Sequence, residues 1–478
     1  MGWLVAKSSG RSRFTSSLAD PPNKETLMRI VAKGRSLACL TGLLLSAGAL
    51  LPAGARAISP QESSPAEVAG QSAVGQSAAV GAAGGGAGGA LDEASAESTE
   101  EDRAAEQAVE ARFGKSIADL EEQYAGKLAE APESVRMLID IAKGSQMGPG
   151  EGWFGPGSSK YSWGWLAERM GHPDAEQLTG EQITAPAHWL ARLDRNRDGE
   201  VTAEDLDWSD RNAWVQRAGM INRFFRRMDP NMDGVLTEAE WGAFYRKLAG
   251  ERDGIEPDEL VNALLAGVGG GFSPGDEPSR NVLLRGLVAG EIGSLQEGPR
   301  VGEAAPDFAL RTHDGERTVR LAELLGKRPI VLTFGNFTCG PFRTLYPGVE
   351  AVYRRFGTEA TFVSIYVREA HPTDGWKMES NNRAGVAVAQ PKTYGDRVAV
   401  AQQCQGLLKC SMPLLVDEID DRTGNAYSGM PARLYVLDES GKVVYKSGRG
   451  PFGFKPGEME QALVMCLLEQ QAAKRGAR

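Results

Sequence analysis

Residues 328–342 read RPIVLTFGNFTCGPF, and this stretch decides the fold of the C-terminal part of the chain. Its first seven residues form a short apolar run bounded by charge, which predicts a buried strand. Cys339 follows in a strand-to-helix turn beside Gly340-Pro341, ahead of a predicted helix near 344–356. Working outward, residues 361–367 (TFVSIYV), 412–416 and 433–437 read as further strands. The turn at 439–442 leads into 443–446, so the last two strands form a hairpin. Helical patterns near 396–405 and 457–469 complete an alternation that implies an α/β sandwich with a mixed sheet.

The place of Cys339 carries chemistry. A sulfur at a helix start meets unpaired N–H groups and the positive end of the helix dipole, and both favour the nucleophilic thiolate. Phe342 stands where a C-x-x-C pair would have its second sulfur, so a local dithiol is excluded. His371, opening a loop after a strand, is placed to donate a proton or pair with the thiolate. Cys404 and Cys410 lie six residues apart and could pair with each other or serve Cys339, whereas Cys466 lies in an apolar helix and reads as core.

The segments VGEAAPDFAL (301–310) and HDG (313–315) resemble the first strand of the redoxin and peroxiredoxin branch of the thioredoxin superfamily, and Met430-Pro431 resembles its cis-proline. More narrowly, NFTCGPF (336–342), EAHPTDGW (369–376) and GRGP (448–451) resemble the iodothyronine deiodinase family. The resemblance implies that Cys339 takes the place of a catalytic selenocysteine, preceded by Thr338. It further implies that Glu369 and His371 face the active site, that Arg449 clamps substrate and that Cys410 resolves the oxidised residue. Ala432 stands where the family has a glutamate, and Pro391 and Phe337 also depart from residues found in some members, so thiol chemistry is matched better than substrate specificity.

Upstream, Asp194, Asn196, Asp198, Glu200, Thr202 and Asp205 place oxygens at loop positions 1, 3, 5, 7, 9 and 12, with Gly199 at the sharp turn and Glu200 offering its carbonyl. Asp229, Asn231, Asp233, Val235, Thr237 and Glu240 repeat the pattern, Val235 again through its carbonyl. A hard cation needs six or seven such oxygens, so both loops point to calcium, the first more weakly because Asp205 is shorter than the usual bidentate glutamate. Val201 and Leu236 are expected to pair as the bridge between loops. Residues 185–250 thus resemble the EF-hand family.

Arg29, Lys33 and Arg35, the apolar residues 37–51 and Ala55-Arg56-Ala57 read as a secretory leader over 1–57, with Met28 as an alternative start and an uncleaved anchor as the alternative reading. An Ala/Gly/Ser-rich tether follows over 58–99, then a helical segment (100–143), the EF-hand pair domain (144–266), a linker (267–300) and the thioredoxin-like domain (301–470). The expected architecture is multi-domain: an α-helical EF-hand domain followed by an α/β thioredoxin-like fold with a mixed sheet. The formal charge is −10. The basic leader leaves the remainder more acidic still, which disfavours nucleic acid as a partner. No apolar run beyond residue 57 is long enough to span a bilayer, which excludes a multi-pass membrane protein.

These readings combine into an exported (periplasmic or secreted), calcium-binding thiol oxidoreductase. Cys339 attacks a peroxide, disulfide or halogenated small molecule. His371 manages the proton with Glu369 orienting it, and Arg449 holds an anionic group. Cys410 or Cys404 then resolves the oxidised sulfur, and an external thiol reduces the protein without an organic cofactor. The alternatives are a non-enzymatic, calcium-dependent interaction protein on a thioredoxin scaffold, and a true reductive deiodinase.

Overall fold

The computed structural model describes residues 100–145, 156–230, 236–265 and 278–476. The leader, the tether and Asn231, Asp233 and Val235 of the second loop lie outside the described residues. All described residues belong to one compact unit. No described helix is long and apolar enough to cross a membrane.

The run after Arg328 forms strand Ile330–Gly335, with every residue buried. Such a strand has neighbours on both edges and cover on both faces, which is why it reads as continuous apolar sequence. In chain order the strands are β1 (Ser158–Ser159), β2 (Gln177–Thr179), β3 (Glu200–Thr202), β4 (Ala309–Thr312), β5 (Thr318–Arg320), β6 (Ile330–Gly335), β7 (Thr361–Tyr366), β8 (Leu414–Val416), β9 (Arg433–Leu437) and β10 (Val443–Lys446). The main sheet runs β1-β10-β9-β6-β7-β8-β4-β5. β6 is parallel to β7 and antiparallel to β9, and β7 is parallel to β8. The sheet is therefore mixed, as expected, and thioredoxin-like. Helix Gly340–Phe356 leaves the C-terminal end of β6, and helix Pro456–Gly476 packs on it and on β9 and β10.

The expected linker is partly a helix. Arg280–Ala289 starts at Ser279, whose side chain accepts from Val282 N, and ends at Gly290 in the left-handed region. Its Leu284 and Leu287 are buried with Val109, Met137, Leu138 and Ile141 in a second apolar core, so the linker completes the helical segment around 100–142.

The calcium-loop region is docked on the sheet domain rather than uncoupled from it. β1 adds a strand to the edge of β10. Gln461, on the C-terminal helix, donates to the carbonyls of Arg192 (3.0 Å) and Asp205 (2.9 Å) at the two ends of the first loop. The same amide oxygen accepts from Trp208 Nε1 at 2.7 Å, and Trp189 Nε1 donates to Glu359 at 2.8 Å. Each such bond contributes a net of about 1 kcal/mol, so the attachment is substantial in sum.

The expected Val201–Leu236 bridge is not formed. Val201 pairs with Leu178 in the two-stranded β2–β3 sheet, where both side chains are buried. Residues 177–179 lie closer in sequence to the first loop and offer an apolar partner, so they occupy its strand edge.

Candidate active site

Cys339 caps the N-terminus of helix Gly340–Phe356. Gly335 is required at the end of β6, because a Cβ there would collide with the Phe342 ring, which folds back over the turn. Phe342 packs against Tyr346 and Phe454. The place of the missing second cysteine is thus filled by an aromatic wedge.

The turn is organised by a residue that the sequence reading passed over. Asn336 is 0% exposed. Its Oδ1 accepts from the N–H groups of Cys339 (2.9 Å) and Ala370 (3.3 Å) and lies 3.2 Å from Thr338 Oγ1. Its Nδ2 donates to the carbonyl of Pro431 at 3.0 Å. Met430-Pro431 is a cis peptide bond, and this contact ties it to the cysteine turn. Pairing of asparagine with groups 34 and 95 residues away leaves no local sequence signal.

Thr338 and Glu369 form the next layer. Thr338 N–H and Oγ1 both donate to Glu369 Oε2, at 2.9 and 2.7 Å, while Thr338 Oγ1 accepts from the N–H groups of Ala370 and His371, each at 3.0 Å. Tyr366 OH donates to the other oxygen of Glu369. Burial pushes the Glu369 carboxyl up, against the opposing pull of Tyr366 and Thr338. The expected side-chain pairing of Glu369 with His371 is therefore replaced: the carboxylate oxygens are taken by Thr338 and Tyr366. His371 instead sits edge-on to Trp376 (4.6 Å between centroids), with Nδ1 at 3.3 Å from the Trp376 carbonyl oxygen. Asp374 accepts from Gln390 N–H at 2.7 Å, and Gln390 bonds both backbone groups of Glu369. The 369–376 segment is thereby held over the cysteine turn.

Cys339 itself is 2% exposed. Burial pushes its thiol up to about 11, while the Phe342 N–H and the Arg343 guanidinium pull it down and Glu369 opposes them. The expected thiolate-favouring groups are present, but desolvation outweighs them in this closed arrangement. Arg343 is a buried cation that the sequence reading also missed. It donates to the Phe337 carbonyl and, at 2.8 Å, to Asn381, whose amide in turn donates to the Thr338 carbonyl at 2.8 Å.

The remaining predicted residues are spread differently. Arg343 feels the charges of Cys339 and Cys404 together. Cys410 lies against Tyr346 and Glu350, and burial raises its thiol to about 12. Cys339, Cys404, Cys410 and Cys466 are all free thiols. Arg449 is not poised as a substrate clamp. It is fully buried, donating to Glu133 (3.1 Å) and to the carbonyls of Ser294 and Gln296, because the helical segment and the 291–297 stretch cover it.

The first calcium loop fits a cation only in part. Asp194 accepts from the N–H groups of Asp198 (3.2 Å) and Gly199 (3.0 Å), and Asn196 Oδ1 from that of Asp198 at 3.0 Å, which gives the turn its shape. Asp205, however, is committed to the N–H groups of Arg195 and Thr202 and to the Thr202 hydroxyl. Glu240 of the second loop accepts likewise from Thr237 N–H and Oγ1. Both final carboxylates thus form capping boxes for the outgoing helices. Among the described residues no group of three or more His, Cys, Asp or Glu side chains is gathered to hold a metal.

Comparison with known proteins bears on this arrangement. The sequence model of the iodothyronine deiodinase family matches residues 283–466, and that of the EF hand matches 187–207 and 221–245. Thyroxine 5-deiodinase from Gallus gallus is 34% identical over 205 residues, covering 41% of this chain and 77% of that protein. Type I iodothyronine deiodinase from Xenopus laevis is 32% identical over 165 residues, covering 34% of this chain and 63% of its own length. The thioredoxin domain of a thiol-disulfide oxidoreductase from Bacteroides vulgatus is 16% identical, covering 35% of this chain and 98% of its own, with a TM-score of 0.26. The fold assignment rests on the strand order above and not on that last likeness.

Proposed function

Because the chain belongs to the iodothyronine deiodinase family of oxidoreductases, we propose that Cys339 is the nucleophile of an exported, thiol-dependent enzyme acting on an oxidised small molecule or disulfide. The observation that carries this reading is the cysteine turn. Asn336 holds the backbone of Cys339 and the cis-proline loop together, while the Phe342 N–H and Arg343 face the sulfur. These groups stabilise negative charge on Sγ once the site opens, since attack requires a sulfur that is 2% exposed here to become accessible.

With a peroxide, the thiolate breaks the O–O bond and takes one oxygen as sulfenic acid, and the other oxygen leaves with a proton. A second thiol then displaces water to give a disulfide, which an external dithiol reduces by exchange. Cys404 and Cys410, both free and buried, are the two proposed sources of that second thiol. Thr338 and Glu369 position the turn, and His371 remains the proposed proton donor at its rim.

Reductive deiodination, the activity named for the relatives, is the narrower reading. There the sulfur takes the halogen, the carbon–halogen bond breaks and carbon takes a proton. Arg449, engaged with Glu133, and Ala432, in place of a glutamate, favour a different substrate. Calcium is proposed as a ligand of the second loop at least, since the EF-hand model matches both loops and both end in a helix-capping carboxylate, and no catalytic step is assigned to it.

The test is one equivalent of peroxide added to the reduced protein, with the sulfurs mapped by peptide mass spectrometry and sulfenic acid trapped by a 1,3-dione. The expected product is a Cys339 adduct or a disulfide from Cys339 to Cys404 or Cys410, and Cys339→Ser abolishes turnover with a dithiol. Full turnover in Cys339→Ser would sink the assignment.

A further inference from the structure

Arg433 opens β9 and Lys446 closes the adjacent antiparallel β10, where it pairs with Tyr435, so the two cations lie diagonally across one end of this strand pair. Arg449 follows three residues later. Arg433 is 1% exposed and Arg449 is fully buried. Arg433 Nη1 and Lys446 Nζ both donate to the same oxygen, the Glu297 carbonyl, at 3.1 and 2.7 Å. Two like charges converging on one neutral oxygen repel each other, and burial strengthens that repulsion. Among the described residues Arg433 Nε makes no hydrogen bond.

The nearby carboxylates are already engaged. Glu133 pairs with Arg449, while the side chain of Glu297 turns to the Glu133 N–H (3.1 Å) and to Arg300 (3.2 Å). Burial, and after it the charge of Arg433, push Lys446 down to about 8 and Arg449 down to about 9. A cavity of about 320 Å³ opens against this cluster, lined by Arg433, Lys446 and Ser447 from the sheet, by Glu133, Arg136 and Asp140 from helix Glu133–Ala142, and by Ser158. None of the residues that hold the Cys339 turn lines it.

We propose that this cavity is an anion-binding site, taking a sulfate- or phosphate-like oxyanion, free or carried by a small molecule, against Arg433, Lys446 and Arg136. The oxyanion accepts from the Arg433 guanidinium and the Lys446 ammonium and relieves the repulsion between them. The volume exceeds that of the ion alone, which leaves room for an organic group. The site is independent of the redox reading, because it uses neither Cys339 nor its partners.

Sulfate is the probe, since its charge does not change between pH 6 and 10. Sulfate and phenyl sulfate are titrated separately into the full chain, with sodium chloride holding ionic strength constant, and followed by calorimetry and melting temperature. Saturable binding is expected at pH 7, weakening about tenfold by pH 9 as Lys446 loses its proton. Tighter binding of phenyl sulfate identifies an ester as the ligand type, and tighter binding of sulfate identifies the free ion. Lys446→Met and Arg433→Met should each weaken binding about tenfold or more, the first standing alone if the second does not fold. The proposal is overturned if neither probe acts beyond the chloride control, or if Lys446→Met binds as the parent does.

Discussion

Replacing Asn336 with alanine tests the organisation of the cysteine turn most directly. The substitution removes the acceptor of the Cys339 N–H and the donor to the Pro431 carbonyl, both in a site with 0% exposure at residue 336. A buried polar group left unsatisfied costs about 1–3 kcal/mol, so two of them cost about 4 kcal/mol together. The Ala370 N–H adds little, because it keeps Thr338 Oγ1 at 3.0 Å. For a cooperative unit of this size, 4 kcal/mol lowers the melting temperature by about 5 °C. Scanning calorimetry measures it, and alkylation of Cys339 at fixed pH reports on the turn separately. Asn336→Asp preserves the acceptor oxygens but opposes a carboxylate to the Pro431 carbonyl. It should lose at least as much stability, because the buried charge is unpaired, while slowing alkylation, since negative charge near the sulfur disfavours thiolate. An Asn336→Ala protein that loses under about 1 kcal/mol and alkylates Cys339 at the parent rate would refute the reasoning.

Cys339 should alkylate half-maximally near pH 11 in the closed protein, because burial holds the thiol protonated. Its contribution to stability is full below the ordinary thiol range and is lost as pH rises through about 11, so Cys339→Ala should flatten that alkaline loss; half-reaction at pH 8 or below would contradict the closed site. Calcium calorimetry on the full chain should give heat that Glu240→Gln largely removes and that Asp205→Asn lowers less, since Asp205 is the shorter final carboxylate and the weaker ligand. Absence of calcium heat in the parent would remove the proposed second-loop site.

The strands around Cys339 were legible because each is a short apolar run with turn residues at its ends, and β9 falls at the expected 433–437. The first loop was legible as a spacing, because its turn depends on local contacts between Asp194, Asn196 and Asp198. What stayed hidden depends on partners far along the chain. Asn336 gains its meaning from Pro431, and Arg449 is turned from a clamp into an anchor by Glu133, some 316 residues away. Helix Arg280–Ala289 could have been read: Ser279 caps it, Gly290 ends it, and Leu283, Leu284 and Leu287 share its buried face. The glycine-rich stretch before it drew the whole region into a linker.

The single amide of Gln461, gripping both ends of the first calcium loop, also bears on how such a chain could have been assembled and how it can be cut. Segments joined only by a tether can be shuffled between genes or expressed alone. Here excision of residues 144–266 would strip β1 from the sheet edge and leave Glu359 and Gln461 without the tryptophans they now bond. Moving the calcium loops without the C-terminal helix would leave the carbonyls of Arg192 and Asp205 and the Trp208 indole without their Gln461 partner.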